Sequence, residues 1–124
     1  MAKKILLIDD EEDFCFFVKN NLERESAFDV ITTTSGKEGI KLAKKIKPDL
    51  ILLDILMPDI SGDEVARQLR TIEGIKETPI VFLTATVRRE EVEAKEGVIG
   101  GYPFIAKPVD VEKLIQEIER HISK

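Results

Sequence analysis

Two apolar runs in this 124-residue chain end on carboxylates. Ile5-Leu6-Leu7-Ile8 leads into Asp9 and Asp10, and Leu50-Ile51-Leu52-Leu53 leads into Asp54. Each run reads as a buried β-strand, and ligands of a parallel α/β sheet bind beyond the carboxyl ends of its strands. Carboxylates gathered at such an edge repel one another unless a cation lies among them, and hard oxygen donors favour a divalent ion such as Mg²⁺. Thr84 holds an equivalent place after Pro79-Ile80-Val81-Phe82-Leu83, as does Lys107 after Phe104-Ile105-Ala106 and before Pro108. Those groups can hold a metal ion and a phosphoryl group together. Asp54 can attack phosphorus to form an acyl phosphate. Asp9 and Asp10 can hold the ion directly or through water, the Thr84 hydroxyl can donate to a phosphoryl oxygen, and Lys107 is a point cation for carboxylate or phosphate. Singly, each has a plainer reading: Asp10 as a helix N-cap, Thr84 as an ordinary strand end, Lys107 as a surface lysine. Their shared placement at successive strand ends is what points to a site.

The elements that must position these residues follow from the pattern. Strand candidates are Lys4–Ile8, Asp29–Thr33, Leu50–Asp54, Ile80–Leu83 and Phe104–Ala106; three are nearly continuous apolar, as strands covered on both faces are. The more polar Asp29–Thr33 reads as an edge. Five helix candidates alternate with them. The first runs from about Glu12 to Glu25 with Phe14, Phe17, Val18 and Leu22 on its stripe. The second and third open on capping-box patterns, Ser35-Gly36-Lys37-Glu38 and Ser61-Gly62-Asp63-Glu64. Their stripes are Ile40, Ala43 and Ile46, then Val65, Leu69 and Ile72, and Pro48 stops the second. The fourth spans Arg88 to about Val98. The fifth follows Asp110 as N-cap, with Val111, Leu114, Ile115, Ile118 and Ile122 buried. This alternation predicts an α/β fold, (βα)5, with helices on both faces of a parallel sheet. Residues 1–124 form one domain on this reading.

Composition narrows the function classes. The chain is 43% hydrophobic and 35% charged, against roughly 25% charged in an average soluble domain. Its net charge of −5 speaks against a broad nucleic-acid-binding face. No apolar run approaches the roughly 20 residues that span a bilayer, and a strand starting near Met1 leaves no room for a signal peptide. A lone cysteine, Cys15, suits a reducing cytoplasm and reads as a packed, inert thiol. The single His121 has no Cys or His neighbour for zinc and sits where a cation suits the helix dipole.

With Leu7-Ile8-Asp9-Asp10-Glu11, Leu53-Asp54-Ile55-Leu56-Met57-Pro58 with Gly62, Leu83-Thr84-Ala85 and Lys107-Pro108 in this order, the chain resembles the receiver domain of two-component response regulators. The resemblance covers essentially the whole chain. It implies a flavodoxin-like, doubly wound five-stranded sheet of order 2-1-3-4-5. It implies Asp54 as phosphoacceptor, charged by the phosphohistidine of a sensor histidine kinase or phosphotransfer protein. Asp9 and Asp10 match the acidic pair around Mg²⁺, and the Leu56 backbone carbonyl matches a further ligand. Thr84 matches the switch hydroxyl, Lys107 the site lysine, and Phe104 the switch aromatic, without the hydroxyl that tyrosine has in many relatives. The Lys107–Pro108 bond is expected to be cis. The signalling face would be the fourth helix, fifth strand and fifth helix, read by a downstream protein target, with no direct nucleic acid or membrane contact. The oligomeric state would be monomer or phosphorylation-dependent dimer.

Leu56 and Thr86 flank the acceptor, and apolar Leu56 cannot orient an attacking water, which favours slow loss of phosphate. Pro103 should fray the start of the fifth strand, and Gly97, Gly100 and Gly101 suggest a mobile segment from about Ala94 to Tyr102. Phe16 points away from Phe14 and Phe17, either against a neighbouring helix or as part of a docking patch. Two other functions fit parts of the pattern. A haloacid-dehalogenase-type phosphatase also uses an Asp nucleophile with Mg²⁺, but wants a second acid where Leu56 stands. A scaffold receiver that works without phosphorylation has no need of the acids, Thr84 and Lys107. The expectation is therefore a phosphoacceptor and not a turnover enzyme.

Overall fold

The computed structural model describes residues 2–85, 98–99 and 102–122. Its elements are β1 (Lys3–Ile8), α1 (Glu12–Glu25), β2 (Phe28–Thr33), α2 (Gly36–Ile46), β3 (Leu50–Asp54), α3 (Gly62–Leu69), β4 (Ile80–Thr84), β5 (Val98–Ile99), β6 (Tyr102–Ala106) and α4 (Val111–Ile122). Five strands are parallel in the order β2-β1-β3-β4-β6, the expected topology. The two-residue β5 is an addition to the five expected strands. It pairs antiparallel with β6 at the outer edge.

Alternating side chains divide the strands between two cores, which is why the sheet is covered on both faces. Leu6, Ile8, Ile51, Leu53, Ile80 and Phe82 face α2 and α3, meeting Ile40, Ala43, Val65 and Leu69. Ile5, Leu7, Leu50, Leu52, Val81 and Leu83 face α1 and α4, meeting Val18, Leu22, Leu114 and Ile118. Every residue of β3 is buried. Each fully buried aliphatic side chain of this kind contributes about 1.5–3 kcal/mol, so the central strand is anchored strongly enough to hold a carboxylate at its end.

Ser35 and Ser61 cap α2 and α3 as expected, accepting from Glu38 N–H at 3.2 Å and Glu64 N–H at 3.3 Å. The Glu64 carboxylate turns to Arg67 and Gln68 rather than back to the cap. Left-handed Lys47 (φ 48°) and then Pro48 end α2. Asp110 accepts from Lys113 N–H at 3.2 Å and starts α4.

Four expectations change. Val98 lies in β5 and so does not end a helix; the rest of the Arg88–Val98 helix candidate, like Thr86 and most of the Ala94–Tyr102 segment, falls outside the described residues. Strand β6 begins at Tyr102 and runs through Pro103, whose missing N–H costs nothing because the ladder to β4 begins at Phe104. Helix α3 ends at Leu69, so Ile72 packs on the core from the turns beyond it. On α1 the buried stripe is Cys15, Val18 and Leu22, while Phe17 is 44% exposed and Phe16 72% exposed.

Candidate functional site

Strand register gathers the expected residues at one sheet edge. Ile8 lies opposite Leu53, so Asp9 follows beside Asp54. Asp54 lies opposite Leu83, and Thr84 opposite Ala106, so Thr84 and then Lys107 complete the row. Backbone bonds fix the neighbours: Asp9 N–H donates to Thr33 O at 3.1 Å, and Lys107 N–H to Thr84 O at 2.9 Å. The Lys107–Pro108 peptide is cis, as expected. Beyond Asp54 the loop is closed by Gly62 N–H donating to Ile55 O at 2.7 Å. A side chain at Gly62 would place its Cβ 2.3 Å from the Asp54 carbonyl oxygen. Only glycine lets α3 start this close behind the acceptor strand.

Asp9, Asp10 and Asp54 each offer a carboxylate oxygen within 4.8 Å of the others, with Asp9 and Asp54 buried and Asp10 exposed. Asp10 is not the N-cap of α1; Glu11 holds that place without a side-chain cap bond. Lys107 Nζ lies 2.7 Å from Asp9 Oδ2, 2.8 Å from Glu11 Oε1 and 3.8 Å from Asp54 Oδ1. It also sits 4.3 Å above the centre of the Phe14 ring. One ammonium thus answers three carboxylates and is closest to Asp9. Glu11 N–H adds a bond to Asp9 Oδ1 at 2.9 Å.

The electrostatics are those of acids under-supplied with positive charge. Burial, then the charge of Asp9, push the Asp54 carboxyl from 3.8 up to about 7, with Asp10 adding to the rise and Lys107 opposing it. Burial also raises Asp9, and its bonds to Lys107 and Glu11 N–H only partly offset that. Burial works against the charged form of Lys107, yet bonds to Asp9 and Glu11 outweigh it and hold the ammonium above its ordinary value. A multivalent cation among the three acids would supply the missing charge, and all-oxygen donors suit Mg²⁺. The donor set therefore fits that ion. Cys15, whose thiol donates to Asp9 O at 3.3 Å, is pushed up to about 11 by burial and then by Asp9, as befits an inert thiol.

The remaining expected residues lie on the adjoining strands and loop. Thr84 is buried at the adjoining strand end. Leu56 follows on the loop with its side chain 61% exposed. Phe104 is buried in the α2–α3 core, three residues before Lys107. Tyr102 packs edge-on to Phe82 at 5.4 Å, with the Arg70 guanidinium 5.3 Å from its ring centre. Sequence reasoning gave Glu11 no role, although it shares Lys107. Its only signal was its place as a third consecutive acid, since its partner lies 96 residues away.

Comparison with known proteins gives the family. Residues 5–119 match the family model described as response regulator receiver domain. The chain is 43% identical over 109 residues to the alkaline phosphatase synthesis transcriptional regulatory protein PhoP of Bacillus subtilis, covering 87% of this chain but only 43% of that protein. It is 32% identical over 123 residues to the polar-differentiation response regulator DivK of Brucella ovis, covering 98% of each. Among solved structures, the chemotaxis protein CheY4 of Vibrio cholerae superposes with a TM-score of 0.83 at 28% identity, covering 98% of this chain and 99% of that one. Fold, site and relatives together place the chain in the family of response regulator receiver domains of two-component systems.

Proposed function

We propose that this receiver domain is switched by phosphorylation of Asp54. The observation that carries the reading is the buried Asp54 carboxylate, set beside Asp9 and Asp10 and within 3.8 Å of Lys107 Nζ. Asp9, Asp10, Asp54 and the Leu56 carbonyl would hold Mg²⁺, which neutralises charge on a transferring phosphoryl group. A carboxylate oxygen of Asp54 forms the O–P bond as the N–P bond of the donor's phosphohistidine breaks. The bonding pair leaves on the imidazole nitrogen, which takes a proton. Lys107 faces the new negative charge, and Thr84 donates its hydroxyl to a phosphoryl oxygen.

The donor is a sensor histidine kinase or phosphotransfer protein. Engagement of Thr84, with Phe104 on the next strand, shifts an existing equilibrium between two states. The output surface comprises β6 and α4 together with the expected fourth helix, which lies outside the described residues, and a downstream protein reads it. Residues 1–124 act as one cytoplasmic receiver that is set and reset, and not as a turnover enzyme. No helix among the described residues is long and apolar enough to cross a membrane.

Intact mass after incubation with acetyl phosphate and Mg²⁺ tests this. One phosphoryl adduct on the native chain and none on Asp54→Asn is expected. No adduct under any condition sinks the reading in favour of a scaffold receiver, and sustained release of inorganic phosphate from phosphate esters in favour of a phosphatase.

A further inference from the structure

A carboxylate outside the acid cluster ties the loop after Asp54 to the start of α2. Asp59 Oδ2 accepts from the Ser35 hydroxyl at 2.9 Å and from Lys37 N–H at 3.1 Å, and Asp59 Oδ1 accepts from Gly36 N–H at 3.3 Å. The first N–H groups of a helix need partners from outside it. Ser35 serves only Glu38 N–H here, and Asp59 reaches across from another loop to serve two more. Desolvation works to raise the Asp59 carboxyl, but the bonds from Lys37, Ser35 and Gly36 outweigh it and leave it below its ordinary range. Packing reinforces the tie. A Cβ at Gly36 would lie 2.4 Å from Ile60 Cγ2 and 3.2 Å from Met57 Cε, so the loop seats directly on the first residue of α2.

The other side of the same turn reaches the acid cluster. Ser35 N–H donates to Thr33 Oγ1 at 3.3 Å, and Thr33 O accepts from Asp9 N–H at 3.1 Å. A hydrogen-bonded path therefore runs from Asp9 through Thr33 and Ser35 to Asp59, joining the end of β1 to the loop after β3. Gly62 N–H on Ile55 O pins the inner end of that loop.

We infer that Asp59 is a positioning residue. It fixes the height of residues 55–61, and so of the Leu56 carbonyl, against the Asp9 and Asp10 carboxylates. The cation affinity of the site then depends on a carboxylate that belongs to the bracket rather than to the cluster. The inference rests on the divalent-ion reading above, and concerns a contact that reading does not need.

The test compares the native chain with Asp59→Ala, Asp59→Asn and Ala43→Gly. The last weakens α2 from its buried face and leaves the bracket untouched. Mg²⁺ affinity comes from amide shift titration, and amide exchange at Gly62 reports the loop. Groups bonded directly to metal ligands typically govern affinity by 10–100-fold; Asp59 acts one step further out, so Asp59→Ala should weaken Mg²⁺ binding by a few-fold, up to about tenfold, and speed exchange at Gly62. Asp59→Asn keeps an acceptor oxygen and should lose less, while Ala43→Gly should lower the melting temperature without changing affinity. Unchanged affinity in Asp59→Ala, or an equal loss in Ala43→Gly, overturns the inference. A native chain that takes up no Mg²⁺ defeats the divalent-ion reading instead. Gly62 exchange then decides the bracket, selective acceleration in Asp59→Ala supporting it and unchanged exchange overturning it.

Discussion

Replacing Asp54 with Asn should stabilise the metal-free protein, and more so at high pH. The cause is burial of the carboxyl, and after it the charge of Asp9, which together move its pKa from 3.8 to about 7. A carboxyl raised on folding binds its proton more tightly in the native state. The contribution of this group to stability is then greatest at low pH, is lost as pH climbs from about 4 to about 7, and levels off above that. The full rise is worth roughly 4 kcal/mol at about 1.4 kcal/mol per pH unit. Water at the site mouth screens part of it, which leaves about 2–4 kcal/mol. For a chain of this length 1 kcal/mol moves the melting temperature by about 4 °C, so the gain at about pH 8 should be roughly 8–15 °C. Thermal unfolding followed by far-ultraviolet circular dichroism in EDTA, at several pH values from about 5 to about 8, gives the difference between native chain and variant. That difference should fall to under half its value by about pH 5, and saturating Mg²⁺ should remove most of it by stabilising the native chain more than the variant. A pH-independent difference, or a variant less stable than the native chain at about pH 8, would mean that the Asp54 carboxylate is not destabilising in the folded protein.

Lys107→Met leaves the fully buried Asp9 carboxylate without its cation. It should cost about 3 kcal/mol at about pH 8 in EDTA and clearly less at about pH 5, as measured by urea unfolding. Gly62→Ala pushes a methyl group against the Asp54 backbone. A loss of about 1–3 kcal/mol is expected, and an unchanged urea midpoint would show that the loop yields freely. Cys15, buried and with its pKa near 11, should react with iodoacetamide at about pH 8 at least about a hundredfold more slowly than a free thiol.

The residues that carried the fold were those whose pattern had one solution. Ile5–Ile8 and Leu50–Leu53 are apolar at every position and too short for a buried helix, which points to strands covered on both faces, and their acids mark the strand ends. Ser35, Ser61, Pro48 and Asp110 act locally and were legible for that reason. The first helix was harder, because Phe14, Cys15, Phe16, Phe17 and Val18 are all apolar and no periodicity within that run says which side turns inward. Packing chose Cys15 and Val18 and left Phe17 half in water. A two-residue strand such as Val98–Ile99 has no period to detect; it exists only because Tyr102 and Pro103 lie beside it. The site shows the same division. Asp9, Asp10, Asp54, Thr84 and Lys107 announce themselves by strand position, whereas Glu11 and Asp59 depend on partners from distant parts of the chain. Such contacts become visible only once the sheet has brought the loops together.

The whole reading turns on where a phosphoryl group goes. Reduction with borohydride after treatment with acetyl phosphate and Mg²⁺ converts an aspartyl phosphate to homoserine, and peptide mass mapping then locates it. Conversion at position 54, dependent on Mg²⁺ and absent in Asp54→Asn, is the predicted result. Conversion at another acid, or none under conditions that phosphorylate a known receiver, would contradict it.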